Sequence, residues 1–434
     1  MDSPRIKVAF HTLGCKLNFA ETSTIARSFS PDRFERVSSN VRADIYVINT
    51  CSVTDAADKK CRQAIRKFIN RSPDAFIAVV GCYAQLRAEE ISHIPGVDLV
   101  LGTNEKFDIA GYLQSAGKKE KTEIHSCSIE RSGLFYPSFS MGDRTRSFLK
   151  VQDGCDYRCS YCTIPMARGM SRNQDISALK EEAEQIALRG TREIVLTGVN
   201  IGDFGKSTGN TFTDLLKELI PVKGIERYRI SSIEPDLITD DLIQLAASEK
   251  KILPHFHIPL QSGSDKILKL MRRRYTTKLF ADRVRKIRNF VPMAGIGADI
   301  IVGFPGETDN DFNETLKFIT DIPLSYLHVF NFSERPGTPA ESMPGKVPFN
   351  EREKRSRKLI SLSHEKHKEF CKANLGCEAE VLFEKVKTNN LISGFTENYL
   401  RTVYPWKLSL AGQIKRVKLT GTDIDYNMTA ELFE

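Results

Sequence analysis

Four absences bound what this 434-residue chain can be. No uninterrupted apolar stretch approaches the roughly 18 residues that a membrane-spanning helix needs. The N-terminus, MDSPRIKVAFHTLGCK, carries charges and a cysteine where a secretory signal would hold an apolar run, so the expectation is a protein that stays in the cytoplasm. No internal repeat or low-complexity tract interrupts the chain, so it is not a repeat array. Strong charge of one sign is also missing: 63 basic against 55 acidic residues leave +8, mild for this length and only a hint of an anionic partner. What remains is a globular composition, 41% hydrophobic and 27% charged, long enough at about 100 to 200 residues per domain for two to four domains.

Hydrophobic patterning divides the chain. Apolar runs of strand length at 5–10, 44–49, 76–81 and 97–102 alternate with helical periodicity, as in 55–69, where Ala56, Cys61, Ala64, Ile65, Phe68 and Ile69 fall at helical spacing. Residues 1–120 thus read as an open parallel α/β sheet. Residues 121–143 lack sustained periodicity and read as a linker. A second series, with strands at 148–152, 193–197, 227–231, 255–259, 297–302 and 326–331, reads as a partial TIM-type barrel of six βα units over 144–349. A charged helix over 350–372 leads to 373–434, whose short alternating runs predict a small β-barrel.

Ten cysteines in a reducing compartment point to metal or catalysis wherever they cluster. Cys155, Cys159 and Cys162 form CxxxCxxC directly after the first strand of the second series. Three thiolates on one loop suit three irons of a 4Fe-4S cluster, leaving the fourth iron open to a small molecule. A zinc loop is the alternative, but structural zinc wants four ligands and no fourth Cys or His follows at a usual spacing. Cys15, Cys51 and Cys82 are dispersed, yet each falls at or just beyond the end of a predicted parallel strand, and such ends line one crevice. Burial for packing alone is the competing explanation. Cys61 occupies an apolar helix position and reads as core, and Cys127, Cys371 and Cys377 receive no ligand role.

CxxxCxxC on a six-strand βα series resembles the radical S-adenosylmethionine (SAM) enzymes, in which the open iron chelates the amino and carboxylate groups of SAM and reductive cleavage yields a 5′-deoxyadenosyl radical. Over essentially its whole length the chain resembles the methylthiotransferases of that group. These join an N-terminal domain with an auxiliary 4Fe-4S cluster to a radical SAM barrel and an OB-like, RNA-binding TRAM barrel. TLGCKLN, NTCSVTDAADKKCRQAIR, GCYAQ, LTGVNIGDFG, RISSIEP and HIPLQSGSDKILKLMRRRYT are similar to the branch acting on tRNA that contains N6-threonylcarbamoyladenosine, and Lys16 and Tyr83 side with it. The resemblance implies two 4Fe-4S clusters, at Cys15, Cys51, Cys82 and at Cys155, Cys159, Cys162. One SAM would methylate a sulfur on the auxiliary cluster, and a second would start carbon–sulfur bond formation at carbon 2 of the adenosine beside the anticodon. It also implies SAM contacts at Tyr161, Gly198, Asn200, Ser232, Glu234, Gln261, Arg273 and Asp299, with Glu234 toward the amino or ribose groups and Arg273 toward the carboxylate. Partners would be the tRNA anticodon loop and an electron donor such as flavodoxin or ferredoxin; the sulfur source is not specified.

Two stretches are strongly basic. Residues 271–288 carry net +7 and read first as a solvated helix face. Residues 385–418 carry net +6 interleaved with Phe395, Tyr399, Tyr404 and Trp406, a mixture that suits RNA: cations for phosphates and rings for unstacked bases. The rivals are the same chemistry on isopentenyladenosine or on a ribosomal-protein aspartate, and a non-catalytic RNA-binding protein whose cysteines hold zinc.

Overall fold

The structure is a computed structural model, and it describes residues 5–113, 117–129, 133–142 and 144–433. The N-terminal sheet contains β1 (Ile6–Thr12), β2 (Phe34–Val37), β3 (Ile45–Thr50), β4 (Phe76–Gly81), β5 (Leu99–Leu101) and β6 (Glu123–His125) in the order β2-β1-β3-β4-β5-β6. All neighbours run parallel. The central strands β3 and β4 are buried at every position, as expected of a sheet covered on both faces. The helix Asp55–Arg71 starts at Thr54, whose side chain accepts the Ala57 N–H, and it buries Cys61, Ile65 and Phe68 at helical spacing.

Two edge strands escape the sequence reading. β2 is only four residues long, FERV, and its charges mask the alternation. β6 lies within 121–143, the stretch read as a linker, yet it pairs with β5 from Leu99↔Glu123 to Leu101↔His125. Further along the same stretch Phe139 bridges Leu149 in the next domain. Much of the expected linker is therefore part of the fold; residues 130–132 and 143 lie outside the described residues.

The second domain opens with β7 (Ser147–Lys150), followed by the two-residue antiparallel pair β8 (Gln152–Asp153) and β9 (Arg172–Asn173) that ties down the cysteine loop. It continues with β10 (Glu193–Thr197), β11 (Arg227–Ile230), β12 (His255–His257), β13 (Gly295–Val302) and β14 (Tyr326–Asn331). The six parallel strands form two three-stranded sheets, β11-β10-β7 and β12-β13-β14, joined by the bridges Tyr228↔Ile252 and Ser232↔His257. This is the partial barrel expected. Leu196, Ile230, Phe256 and Ile300 pack outward against helices such as Ile176–Leu188, which contributes Leu179, Ala183 and Ile186. Alternation then puts Glu193, Arg229, His255, His257, Asp299 and His328 on the opposite, inward face. A closed TIM barrel fills that space with branched apolar side chains; here much of the inward row is polar, and its apolar part, Phe148 and Val195, packs on Phe19 and Ala20 of the first domain.

The helix Phe349–Ala373 leads to a closed five-stranded barrel, ordered β15 (Glu378–Thr388), β16 (Leu391–Phe395), β17 (Arg401–Pro405), β19 (Met428–Leu432), β18 (Ile414–Thr422). Val381, Phe383, Ile392, Val417, Leu419 and Met428 fill it, and closure leaves no strand edge. It fits the expected TRAM barrel. The four rings of its basic stretch are each half-buried. Phe395 stacks on Tyr399 at 4.8 Å, Tyr399 lies 4.3 Å from the His255 ring, and Tyr404 and Trp406 pack against the small barrel's core. Phe395 and Tyr399 thus join barrel to barrel, while Lys385, Lys387, Arg401, Lys407, Lys415, Arg416 and Lys418 remain exposed. Among the described residues no helix is long and apolar enough to cross a membrane.

Candidate active site

A cavity of about 350 Å³ opens where the barrel strands end, and Cys155, Cys159 and Cys162 line it. Their loop is held from below by Gln152. Its amide donates to the carbonyls of Asp153 (3.0 Å) and Gly154 (2.7 Å), and its Oε1 accepts the N–H groups of Val199 (3.0 Å) and Asn200 (2.9 Å) on the loop after β10. Burial pushes the Cys155 and Cys162 thiols up to about 12 and raises Cys159 as well; for Cys155 and Cys162 the neighbouring thiols of the set add to the shift. Such thiols stay protonated near neutrality unless a cation replaces the proton. Cys155 Sγ accepts the Tyr157 N–H at 3.4 Å and Cys159 Sγ accepts Arg273 Nη1 at 3.1 Å. Among the described residues lining the cavity there is no fourth cysteine and no histidine. The donor set therefore fits three irons of a 4Fe-4S cluster with one left open.

Tyr161, Asn200, Ser232, Glu234, Gln261, Arg273 and Asp299 share that wall. Arg273 also accounts for part of the basic stretch 271–288: it is buried, pairs with Glu234, and donates from Nε to the Tyr275 hydroxyl at 3.0 Å. Burial raises the Glu234 pKa, and Arg273 only partly offsets this. Asp299 accepts from His257 (3.1 Å) and His328 (3.2 Å); burial opposes its charge, but the two imidazoles hold it well below the usual carboxylate range. Asn200 is buried with its Oδ1 unpartnered. Gly198 does not reach the cavity wall. A Cβ there would lie 2.9 Å from both the carbonyl and Oε1 of Gln152, so its small size serves the Gln152 clamp.

The dispersed cysteines converge. β1, β3 and β4 are consecutive in the sheet, so Cys15, Cys51 and Cys82 sit side by side along its C-terminal edge. Gly14 permits the approach: its φ is +107°, and a Cβ there would lie 2.6 Å from Cys51 Cβ. Burial raises Cys51 to about 12, with Cys82 and Cys15 adding to the shift. Cys61 is buried in the domain core and donates its thiol to the Cys51 carbonyl at 3.4 Å. Cys371 is buried in the core of the small barrel, while Cys127 and Cys377 are exposed. Val53 and Thr54, just past Cys51, form part of the cavity wall, while Cys15, Cys51 and Cys82 themselves do not line it.

One component had no sequence signal. Arg168, fully buried, donates to both oxygens of Glu21 (2.9 and 3.0 Å), to Asp153 (3.0 Å) and to Asn18 (2.7 Å), while Lys106 (2.6 Å) and Lys150 (3.1 Å) complete the ring around Glu21. Burial disfavours the Glu21 charge, but Arg168, Lys106 and Lys150 outweigh it and hold the pKa well below the usual range. The cluster welds the helix after Cys15 to the helix after Cys162.

Residues 7–102 match the family described as "Uncharacterized protein family UPF0004", and residues 149–319 match the "Radical SAM superfamily". A Bacillus subtilis (strain 168) protein named threonylcarbamoyladenosine tRNA methylthiotransferase MtaB is 42% identical over 97% of this chain and 95% of its own. The chain belongs to the radical SAM tRNA methylthiotransferase family. An Aquifex aeolicus relative with the same name is 38% identical over 91% of this chain and 96% of its own. A Natranaerobius thermophilus relative, named tRNA-2-methylthio-N(6)-dimethylallyladenosine synthase, is 34% identical over 98% and 96%. In fold, this methylthiotransferase is similar to the radical SAM methyltransferase TsrM of Kitasatospora setae, with TM-score 0.56 and 15% identity, covering 78% of this chain and 77% of that one. The radical SAM fold implies a 4Fe-4S cluster and SAM.

Proposed function

We propose that this methylthiotransferase acts on tRNA and converts N6-threonylcarbamoyladenosine beside the anticodon to its 2-methylthio derivative. The observation that carries the reading is the pairing of two three-thiol sets, one lining the cavity and the other along the sheet edge from which Val53 and Thr54 continue into the cavity wall. Cys155, Cys159 and Cys162 hold the radical SAM cluster. Cys15, Cys51 and Cys82 hold the auxiliary one, with one SAM as methyl donor and another as radical source. Carbon 2 of adenine is an unactivated aromatic position beyond acid–base groups, and the bound cluster with SAM supplies the radical chemistry. The protein positions. Arg273 offers the cation for the SAM carboxylate, Glu234 and Asn200 take its amino and ribose groups, and Tyr161, Ser232, Gln261 and Asp299 complete the wall. The base must leave its stack to reach so enclosed a site, with the exposed lysines and arginines of the small barrel holding RNA phosphates. The reading places the protein in the cytoplasm with an external one-electron donor of the flavodoxin or ferredoxin type.

Names of relatives favour threonylcarbamoyladenosine first and dimethylallyladenosine second. Purified enzyme with both clusters, given SAM, a reductant, a sulfide source and anticodon stem-loop RNA carrying either base, decides by nucleoside mass spectrometry. The expected product is 2-methylthio-N6-threonylcarbamoyladenosine. Methylthiolation of only the isopentenylated RNA would overturn the substrate assignment.

A further inference from the structure

The helix Asp55–Arg71 buries Cys61, Ile65 and Phe68 in the core of the first domain. At 3.6 residues per turn, Lys59, Lys60, Gln63, Arg66, Lys67 and Asn70 fall on the opposite side, and all six are exposed. Four of the six are cations, and among the described residues none of the four makes an ion pair or hydrogen bond. The other two cations of the helix are engaged: Arg62 pairs with Glu90 (2.9 Å) and donates to the Tyr83 hydroxyl (2.9 Å), and Arg71 donates to the Ser39 carbonyl. Both acids of the helix lie in its first turn, where Asp58 is buried and accepts from Ser52 (2.7 Å) and Arg335 (2.7 Å); beyond it the helix has no acid. Solvated helix faces are stabilised by opposite charges at i,i+4, whereas Arg62–Arg66 and Lys67–Arg71 are like-charged pairs at that spacing and repel. A face of one sign that works against its own helix fits an anion outside the protein.

The helix starts at the cavity. Val53, half-exposed, and Thr54 form part of the cavity wall, and the Asp55 N–H donates to Ser333 Oγ at 3.1 Å on the loop that follows β14. From there its 17 residues run for about 25 Å. Arg66 and Lys67 follow Lys59 and Lys60 by seven positions, which is two turns, or about 10 Å along the axis. The small barrel presents its exposed cations elsewhere. Gly295, at the start of β13, backs on it so closely that a Cβ would lie 2.1 Å from the Asn398 carbonyl, so the small barrel packs where strands begin and the cavity opens where they end. A base inside the cavity leaves its phosphates at the rim, and the helix supplies cations at that end of the molecule.

We propose that the outer face of the helix Asp55–Arg71 is a second RNA-binding surface, with Lys59, Lys60, Arg66 and Lys67 on phosphates of the anticodon stem-loop. This rests on the tRNA reading above and holds for either modified adenosine. Contacts to phosphate fix the register of the RNA over the cavity and carry no sequence preference. An acidic protein would meet the same charges, but the face rises beside Cys51 and not from the loop of Cys155, Cys159 and Cys162, the set that an electron donor must reach. RNA is therefore its occupant.

Lysine acetylation of wild-type holoenzyme, read by peptide mass spectrometry, tests this without a variant. A saturating tRNA anticodon stem-loop is expected to protect Lys59, Lys60 and Lys67. Equal labelling with and without RNA would overturn the proposal, and so would protection by an acidic flavodoxin but not by RNA. A salt titration gives the magnitude. In the combined variant Lys59→Gln, Lys60→Gln, Arg66→Gln and Lys67→Gln, the slope of log K against log salt for the stem-loop should fall in magnitude by about 3 to 4, close to one phosphate per cation. The dissociation constant should rise at least about 10-fold near 0.1 M salt. A fall in slope smaller than about 2 would overturn the proposal, and if the variant does not load iron the wild-type footprint decides. Wild type that binds no stem-loop fails the tRNA reading itself, a result distinct from tight binding with these lysines unprotected.

Discussion

Thr163 donates its hydroxyl to the carbonyl of Ser52 at 3.2 Å. These residues directly follow Cys162 and Cys51, so the two cysteine sets, over a hundred positions apart in sequence, are one residue removed from a shared hydrogen bond. Arg335 tightens the junction, donating to the Ser52 carbonyl (3.1 Å), the Ser52 hydroxyl (2.7 Å) and Asp58 (2.7 Å), and Thr103 bonds the Ala167 carbonyl at 2.7 Å. Buried polar contacts, and not the chain between the domains, set the distance between the two sets.

Each cysteine set is expected to be separable. Cys159→Ala should abolish 5′-deoxyadenosine formation and leave about four of about eight irons per chain. Chromatography of the SAM cleavage products together with an iron assay checks this; undiminished cleavage would remove Cys159 from its assigned role.

Cys51→Ser should do the reverse, keeping SAM cleavage while losing methylthiolated product and about four irons. If methylthiolated nucleoside still forms at the wild-type rate, Cys51 is not part of the sulfur-carrying site.

Loading should release protons. Burial raises Cys51, Cys155 and Cys162 to about 12, so these thiols enter neutral solution protonated and leave it as ligands. The affinity of cysteine-reduced apoprotein for Cd²⁺ should therefore climb steeply between pH 6 and 9, approaching about three protons released per three-thiol site. A flat profile in a competition titration would argue against thiolate ligation.

Arg168→Met should destabilise the junction by about 3 to 5 kcal/mol, since it strands part of the charge on buried Glu21 and Asp153. Denaturant unfolding monitored by tryptophan-independent far-UV dichroism reads the loss, and a change within about 0.5 kcal/mol would show that Lys106 and Lys150 suffice.

Glu182 supplies a pH signature. Burial raises its pKa from 4.5 to about 7, against the pull of Arg27 and Lys150, and its Oε2 is unpartnered. Between those values the folded form retains a proton that the unfolded chain has lost, so the linkage slope is negative and stability falls as pH rises through that window. Glu182→Gln should therefore raise the thermal midpoint at pH 8 and leave it nearly unchanged at pH 4.5; an equal effect at both would refute the titration.

Much of this was legible because its causes are local. CxxxCxxC brings three thiols together within one loop, and strand ends following apolar runs locate Cys15, Cys51 and Cys82 wherever a parallel sheet forms. Helices such as Asp55–Arg71 carry both cap and periodicity in the sequence. Other features are set by partners far along the chain. Nothing near Gly198 shows that it backs on Gln152, and nothing near Arg168 shows that it meets Glu21, 147 positions away. Likewise Tyr399, read from composition as a base-stacking ring, turns inward onto His255.

The sequence by itself determined which thiols are available, the strand–helix alternation that lines them up, and the three-domain order, because spacing and periodicity act over a few residues. Only the tertiary structure decided that the two cysteine sets meet at one junction, that a ring of buried charges welds the helices following them, and that the barrel's inward face carries charged and imidazole side chains. Each of those depends on which side chains meet across elements, and burial makes such meetings favourable or costly only once the whole fold has closed.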